Sequence, residues 1–338
     1  MGDAQTKSVR VEIRDEGLEI RRAVKLSRRA MACEFEIIVA DGRDRNELVD
    51  IANLALDEIE RLDTELSCFR PTSEVSFVNA EAAQRPIVVG PDLFEILRAA
   101  KEVWRETDGA FDVTAGPLID LWRSAEQTGV APDKQAIAAA LARVGMSRVV
   151  LDEHTHSVQF DTGQNTQHPE LVEGSLSVPS LRINLGAIGK GYAVRKAASI
   201  LREYDVGSAL VSGGASTIFG FGDGPYGDGW RVGIRHPSRL NERVTEIVLR
   251  GQAMSTSGGP AHRDKDVEES FEHIIDPATG EPARSEAASV SVITDDAMLS
   301  DALATAFYLR GSELATRYCA AHPATKAIFV DRDGRILE

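Results

Sequence analysis

The feature that most constrains this chain is a change of texture near residue 204. Before it, apolar residues recur at three- and four-residue spacing over long stretches. After it, short β-like runs alternate with glycine-rich turns. Leu48, Ile51, Ala55, Ile59, Leu62 and Leu66 predict an amphipathic helix after Asn46. Leu93, Ile96, Leu97, Ala100, Val103 and Trp104 predict a second, opening at Asp92 with Glu95 three residues on, as in a capping box. A third is expected over 133–144, burying Ile137, Leu141 and Val144. Strands are expected at 18–24, 35–39, 148–151, 158–161 and 181–185, the last running through glycines into a helix over about 191–203. Beyond it the β-like runs are 209–212, 230–234, 244–249, 271–275 and 289–293. Helices over 300–309 and 312–321 and a hairpin turning at Asp333-Gly334 close the chain. These spacings suit antiparallel strands better than repeated βαβ units, so the class is α+β. No linker-like composition marks a domain boundary, although one near residue 180 fits the pattern.

Charge and cysteine content exclude several functions. The 338 residues carry 38 Lys and Arg against 53 Asp and Glu, a net charge of −15. That balance argues against nucleic acid, whose phosphates are bound by clustered Lys and Arg, and against an anionic membrane surface. An anion is bound only in a local site built for it. Cys33, Cys68 and Cys319 are too far apart to read as a zinc ligand pair, and an odd, low count fits a reducing compartment. No run of about 18 apolar residues exists to span a membrane. Residues 1–17 read as a polar arm with no apolar signal segment. A cytoplasmic location is the expectation, or a periplasmic one if a leader has been removed. Residues 162–179 read as an exposed loop or insertion.

Six stretches, the last two alike in kind, carry the types of residue that do chemistry. Ile183-Asn-Leu-Gly-Ala-Ile-Gly-Lys-Gly-Tyr192 leaves a strand, passes three glycines and enters a helix. Glycines let backbone approach a ligand, and a helix N-terminus offers N–H groups to phosphate. The same stretch also describes a tight strand–helix turn with an exposed lysine. Thr107-Asp-Gly-Ala-Phe-Asp-Val-Thr-Ala-Gly-Pro-Leu118 reads as a structured loop, with Gly109 capping one helix and Pro117 stopping it. In Ser300-Asp-Ala-Leu-Ala-Thr-Ala-Phe307, Asp301 and Thr305 share one helix face. They are oxygen ligands of the kind Mg²⁺ accepts beside phosphate and water. An Asp favoured by a helix N-terminus fits equally. Phe271-Glu-His-Ile-Ile-Asp-Pro-Ala-Thr-Gly280 carries His273 on an apolar run, and Ser212-Gly-Gly214 and Ser255-Thr-Ser-Gly-Gly259 are small-residue loops after strands.

In this order, and together with Met31-Ala-Cys-Glu-Phe35 and Leu66-Ser-Cys-Phe-Arg-Pro71, these stretches resemble the ApbE family of FAD:protein FMN transferases, from about Met31 to the end of the chain. The resemblance implies an α+β fold of mixed and antiparallel sheets with flanking helices, in two intimately packed subdomains forming one domain over 18–338. It implies Mg²⁺-dependent transfer of the FMN half of FAD to a Ser or Thr hydroxyl of a target flavoprotein, releasing AMP. An FAD pyrophosphatase giving FMN and AMP, or a non-catalytic FAD-binding protein, are the alternatives. On the positions of this chain it implies FAD contacts from Met31, Phe69, Ala110, Phe111, Asp112, Asn184, Lys190, His273 and Ile274. The implied metal ligands are the carbonyl of Ala187, the carboxylate of Asp301 and the hydroxyl of Thr305. His273 is the implied general base toward the incoming hydroxyl. Three positions depart from the family pattern: Ala32-Cys33 stands where Gly-Thr is usual, Phe69 where Tyr is frequent, and Asn184 where Asp is usual. Asn keeps a carbonyl acceptor, gains donors and loses one negative charge.

Overall fold

The computed structural model describes residues 23–162, 181–239, 241–258 and 274–337, and the backbone of Lys7–Val11. Its elements, in chain order, are β1 (Lys7–Val11), β2 (Ala23–Ala30), β3 (Cys33–Ala40), α1 (Arg45–Leu66), α2 (Glu74–Glu81), β4 (Ile87–Val88), α3 (Pro91–Glu106), α4 (Gly116–Thr128), α5 (Lys134–Leu141), β5 (Val149–Asp152) and β6 (Ser157–Phe160). They continue with α6 (Gly189–Glu203), β7 (Ala209–Gly213), β8 (Thr217–Phe221), β9 (Trp230–Arg235), β10 (Arg243–Leu249), β11 (Gln252–Gly258), β12 (Ser289–Thr294), α7 (Ala297–Ala321), β13 (Lys326–Val330) and β14 (Ile336–Leu337). The chain divides into two compact units: residues 1–64, 186–262 and 285–338, and residues 65–185 with 263–284.

The first unit is built on a nine-stranded sheet in the order β1-β2-β3-β7-β8-β11-β12-β13-β14, with every neighbour antiparallel. Strand alternation sorts its two faces. On one, Ala40, Met254, Ile293 and Val330 pack with Trp230, Val232, Ile234 and Leu249 of the β9–β10 ribbon. On the other lie α6 and α7. β12, Ser-Val-Ser-Val-Ile-Thr, is buried at all six positions because elements cover both of its faces. Of its three hydroxyl residues, Ser291 shares a hydrogen bond with Thr256 at 2.8 Å and Thr294 donates to the Asp296 carbonyl at 2.6 Å. Gly311, at φ 72° and ψ −164°, breaks α7 between the two helical stretches expected at its sides.

The second unit carries α2 to α5 and a three-stranded sheet in the order β4-β6-β5. Its apolar centre is Leu118, Trp122, Ala125, Ala140 and Ile275, with Ile137, Leu141 and Val144 half-buried against it. Trp122 Nε1–H donates to the Gly280 carbonyl at 2.7 Å, so the indole buries without losing its bond.

Several expectations are corrected. The helix expected at Asp92 opens at Pro91 with Gly90 as N-cap and no side-chain cap. Proline's fixed φ suits the first helical position, which leaves Asp92 inside the turn, too late to cap. Pro117 likewise starts a helix rather than stopping one, because it sits in the first turn of α4, which ends at Gly129 with φ 68°. The expected strand 181–185 reduces to a single parallel bridge between Arg182 and Ala115. Within the expected polar arm, Lys7–Val11 pairs antiparallel with β2, following the alternation of its valines. The rest of the arm, residues 18–22 of the first expected strand, residues 163–179 of the loop expected at 162–179, and residues 271–273 lie outside the described residues. Ile275 makes only an isolated bridge to Pro282.

Candidate functional site

In the first unit, the Gly-rich stretch forms a turn over 186–188 and then α6. Gly191 is where this helix meets α7. A Cβ there meets the Ala297 carbonyl oxygen, with Asp301 Cβ and Met298 Cα both 2.8 Å away. Only glycine lets the two backbones come so close. The contact aims the Gly191 N–H at Asp301, donating to Oδ2 at 3.0 Å. Thr217 Oγ1–H donates to Oδ1 at 3.2 Å, and Lys190 Nζ lies 3.7 Å from Oδ2. Lys190 also donates to the Gly186 carbonyl at 3.2 Å. Asp301 is thus a buried carboxylate held from three directions.

The two stretches expected to form halves of one site therefore meet, through Lys190, Gly191 and Asp301. Ala187 sits in the turn between Gly186 and Ile188, whose carbonyl accepts from Tyr192 at 3.0 Å. Thr305 follows Asp301 by one helical turn, and its Oγ1 shares a 3.1 Å hydrogen bond with Ser257 Oγ of β11. One step back, Ser255 and Ser300 share one at 2.7 Å. A single carboxylate among hydroxyl and carbonyl oxygens is a hard-cation donor set that leaves positions for phosphate and water. Among the described residues no group of three or more His, Cys, Asp or Glu is clustered. The residues present fit an ion of the Mg²⁺ class.

Met31 and Ala32 form the two-residue loop of the β2–β3 hairpin, with φ of 47° and 60°, while Ala30 pairs with Cys33. Both central residues of such a loop take positive φ, which normally selects Asn-Gly. Asp63 Oδ1 accepts from the Met31 N–H at 2.9 Å and holds the loop. Burial pushes the Cys33 thiol pKa up. The charge of Lys190 acts to lower it, and those of Asp301 and Asp63 act to raise it.

The second unit places the other expected residues. Phe69 is exposed, with the Arg123 guanidinium 4.5 Å from its ring centroid. Ala110 and Phe111 are buried in the loop between α3 and α4. Asp112 Oδ1 accepts from the Thr114 N–H at 2.7 Å and hydroxyl at 2.6 Å, and Oδ2 accepts from the Met146 N–H at 3.1 Å. Its carboxylate pins this loop, and burial pushes its pKa up against those bonds. The Asn184 N–H donates to the Val113 carbonyl at 2.7 Å, so Asp112 and Asn184 share one loop system. Asn79 brackets Ile183, accepting from its N–H at 2.7 Å and donating to its carbonyl at 2.9 Å. The half-buried Ile274 accepts from Ala283 through its carbonyl at 2.8 Å. His273 lies outside the described residues.

Thr217 and Asn79 escaped sequence reasoning, while Ser257 and Thr114 lie in stretches it singled out without a role of their own. For Ser257 a signal was present, since Ser255 and Ser257 alternate on one strand. Thr217 and Asn79 act on residues 84 and 104 positions away, which no local pattern reports.

Comparison with known proteins bears on these arrangements. The model of the ApbE family matches residues 31–329. A protein of Treponema pallidum named FAD:protein FMN transferase is 30% identical over 296 residues, covering 83% of this chain and 78% of that protein. One of Klebsiella pneumoniae with the same name is 31% identical over 265 residues, covering 77% and 70%. The flavin transferase ApbE from Vibrio cholerae superposes with a TM-score of 0.74 at 26% identity, over 92% of this chain and 94% of its own. The ApbE protein from Thermotoga maritima gives 0.75 at 24% identity, over 94% and 97%, a likeness of fold. With a family model spanning most of its length and relatives at 30% identity behind it, this chain belongs to the ApbE family.

Proposed function

We propose that this chain transfers the FMN moiety of FAD to a Ser or Thr hydroxyl of a target protein, releasing AMP. The observation that carries the proposal is the docking of the glycine-rich turn onto α7, with Lys190 and the Gly191 N–H at the Asp301 carboxylate. In a chain of this family, that arrangement is a place to hold a pyrophosphate through a hard cation. Ala187, Asp301 and Thr305 are the residues that would hold Mg²⁺. When bound, the ion supplies neutralisation of the charge that builds on the departing phosphate.

The chain's own part is positioning and electrostatics, which supply most of the rate in phosphoryl transfer. Lys190 is a point charge for a phosphate oxygen. The α6 N-terminus adds backbone N–H groups of the same sign. Gly191 and Thr217 keep the Asp301 carboxylate oriented. The acceptor oxygen bonds to the FMN-side phosphorus, and the bond from that phosphorus to the bridging oxygen breaks. AMP leaves with the bridging oxygen. His273 is proposed to take the acceptor's proton, a contribution of about 10²- to 10⁴-fold. Met31, Phe69, Ala110, Phe111, Asn184 and Ile274 are kept as proposed FAD contacts on the family resemblance. The carboxylate of Asp112 is assigned to the loop it pins.

Incubation with FAD and Mg²⁺, with and without an acceptor flavoprotein domain, tests this. Covalent flavin on the acceptor together with AMP is the expected result. AMP at the same rate without acceptor makes the chain a pyrophosphatase, and bound flavin with no AMP makes it a binding protein.

A further inference from the structure

We propose that Ser257 is a positioning residue that turns the Thr305 hydroxyl toward the bound cation. This rests on the metal assignment just given and adds to it a residue outside the ligand set. A threonine hydroxyl that ligates a cation presents a lone pair to it, and its proton is then directed away. The site is half-buried, and a proton turned away from the cation there points into the protein, where it needs an acceptor. Ser257 Oγ, at 3.1 Å from Thr305 Oγ1, is that acceptor. Its position follows from the strand. On β11, Ser255 and Ser257 face α7 on the same side, and they meet Ser300 and Thr305 respectively. Thr217 does the same for Asp301 from the neighbouring β8, donating to Oδ1 at 3.2 Å. The two proposed side-chain ligands on α7 are thus each oriented by a hydroxyl from the sheet beneath, in opposite senses: Thr217 gives a proton to the carboxylate, and Ser257 takes one from the hydroxyl. Such supporting bonds around metal ligands are worth about 10- to 100-fold in metal affinity. Because Thr305 is a neutral ligand, the low end applies.

The test is Mn²⁺ binding to the full chain with FAD present, free Mn²⁺ being read by its electron paramagnetic resonance against an FAD-only control. Ser257→Ala is expected to weaken Mn²⁺ about tenfold, and Ser257→Thr, which keeps the acceptor, to bind within about twofold of the parent. In a Thr305→Val background, adding Ser257→Ala is expected to change nothing further, an outcome that a general packing role of Ser257 would not give. Unchanged Mn²⁺ affinity in Ser257→Ala, or the same tenfold loss in the Thr305→Val background, overturns the inference while leaving the metal assignment standing. Absence of Mn²⁺ binding by the parent chain overturns both.

Discussion

Replacement of Gly191 by alanine tests the packing on which the site depends. One methyl group is added where the Asp301 Cβ and Met298 Cα stand 2.8 Å away and the Ala297 carbonyl oxygen closer still. Ordinary contact begins near 3.4 Å. The helices must therefore part by well over half an ångström, and two of the three obstructing atoms are backbone, which no rotamer change removes. Overpacking of this kind costs about 1–3 kcal/mol. Parting the helices also stretches the 3.0 Å bond from the Gly191 N–H to a buried carboxylate, worth about 1.5–3 kcal/mol because one partner is charged. Alanine's better helix propensity returns up to about 1 kcal/mol. The expected net loss is about 2–4 kcal/mol, a large part of the 5–15 kcal/mol that typically holds a domain together. Urea unfolding of the variant and its parent measures it. Gly42→Ala, where a new Cβ meets nothing within 4 Å, is the control and is expected to be neutral or stabilising by up to about 1 kcal/mol. A Gly191→Ala protein as stable as its parent would show that the two helices are not in backbone contact, and the anchoring of Asp301 would fall with it.

Ala32→Gly is expected to stabilise the chain by up to about 1 kcal/mol. It relieves about 1–2 kcal/mol of left-handed strain at φ 60° and gives part of that back as unfolded-chain entropy; an unchanged denaturation midpoint would contradict it. Asp112 yields a pH dependence. Its carboxyl pKa is raised in the folded state by burial. A raised acid contributes stability that is fully present below its unfolded pKa and is lost as pH rises through its folded one. The stability of the parent relative to Asp112→Asn is therefore expected to fall with rising pH just above the ordinary carboxyl range, and a difference flat from acid to neutral pH would refute it.

The amphipathic helices and the antiparallel character of the later strands were legible because each rests on a local period. Asp301 and Thr305 were legible as a pair because four residues is one turn of helix. What the sequence concealed is long-range or set by competing local rules. Pro117 read as a helix stop, yet it sits in the first turn of a helix, and the Asp92 capping box lost to Pro91 before it. Leu181 to Leu185 has strand composition, but its pairing stops at one bridge from Arg182 to Ala115 and one bond from the Asn184 N–H to the Val113 carbonyl, while the Ile183 backbone is taken by the Asn79 side chain. The loop over 107–118 was legible as a structured loop, and Asp112, which only the family resemblance made a ligand contact, bonds Thr114 and Met146 within it. The departure at Ala32-Cys33 acquires a physical meaning only from the backbone. Where the family pattern has glycine this chain has an alanine at positive φ, and where it has threonine there is a half-buried thiol under the influence of Lys190 and Asp301.

The central claim is that Asp301 anchors a cation-assisted cleavage of FAD whose flavin half ends on a protein hydroxyl. Mass analysis of an acceptor domain incubated with FAD, Mg²⁺ and either the parent chain or Asp301→Ala tests it most directly. The account expects the acceptor to gain the mass of FMN less water, one AMP released for each modified acceptor, and both signals lost in Asp301→Ala that remains folded. Modification by Asp301→Ala at the parent rate and the same Mg²⁺ concentration would contradict it.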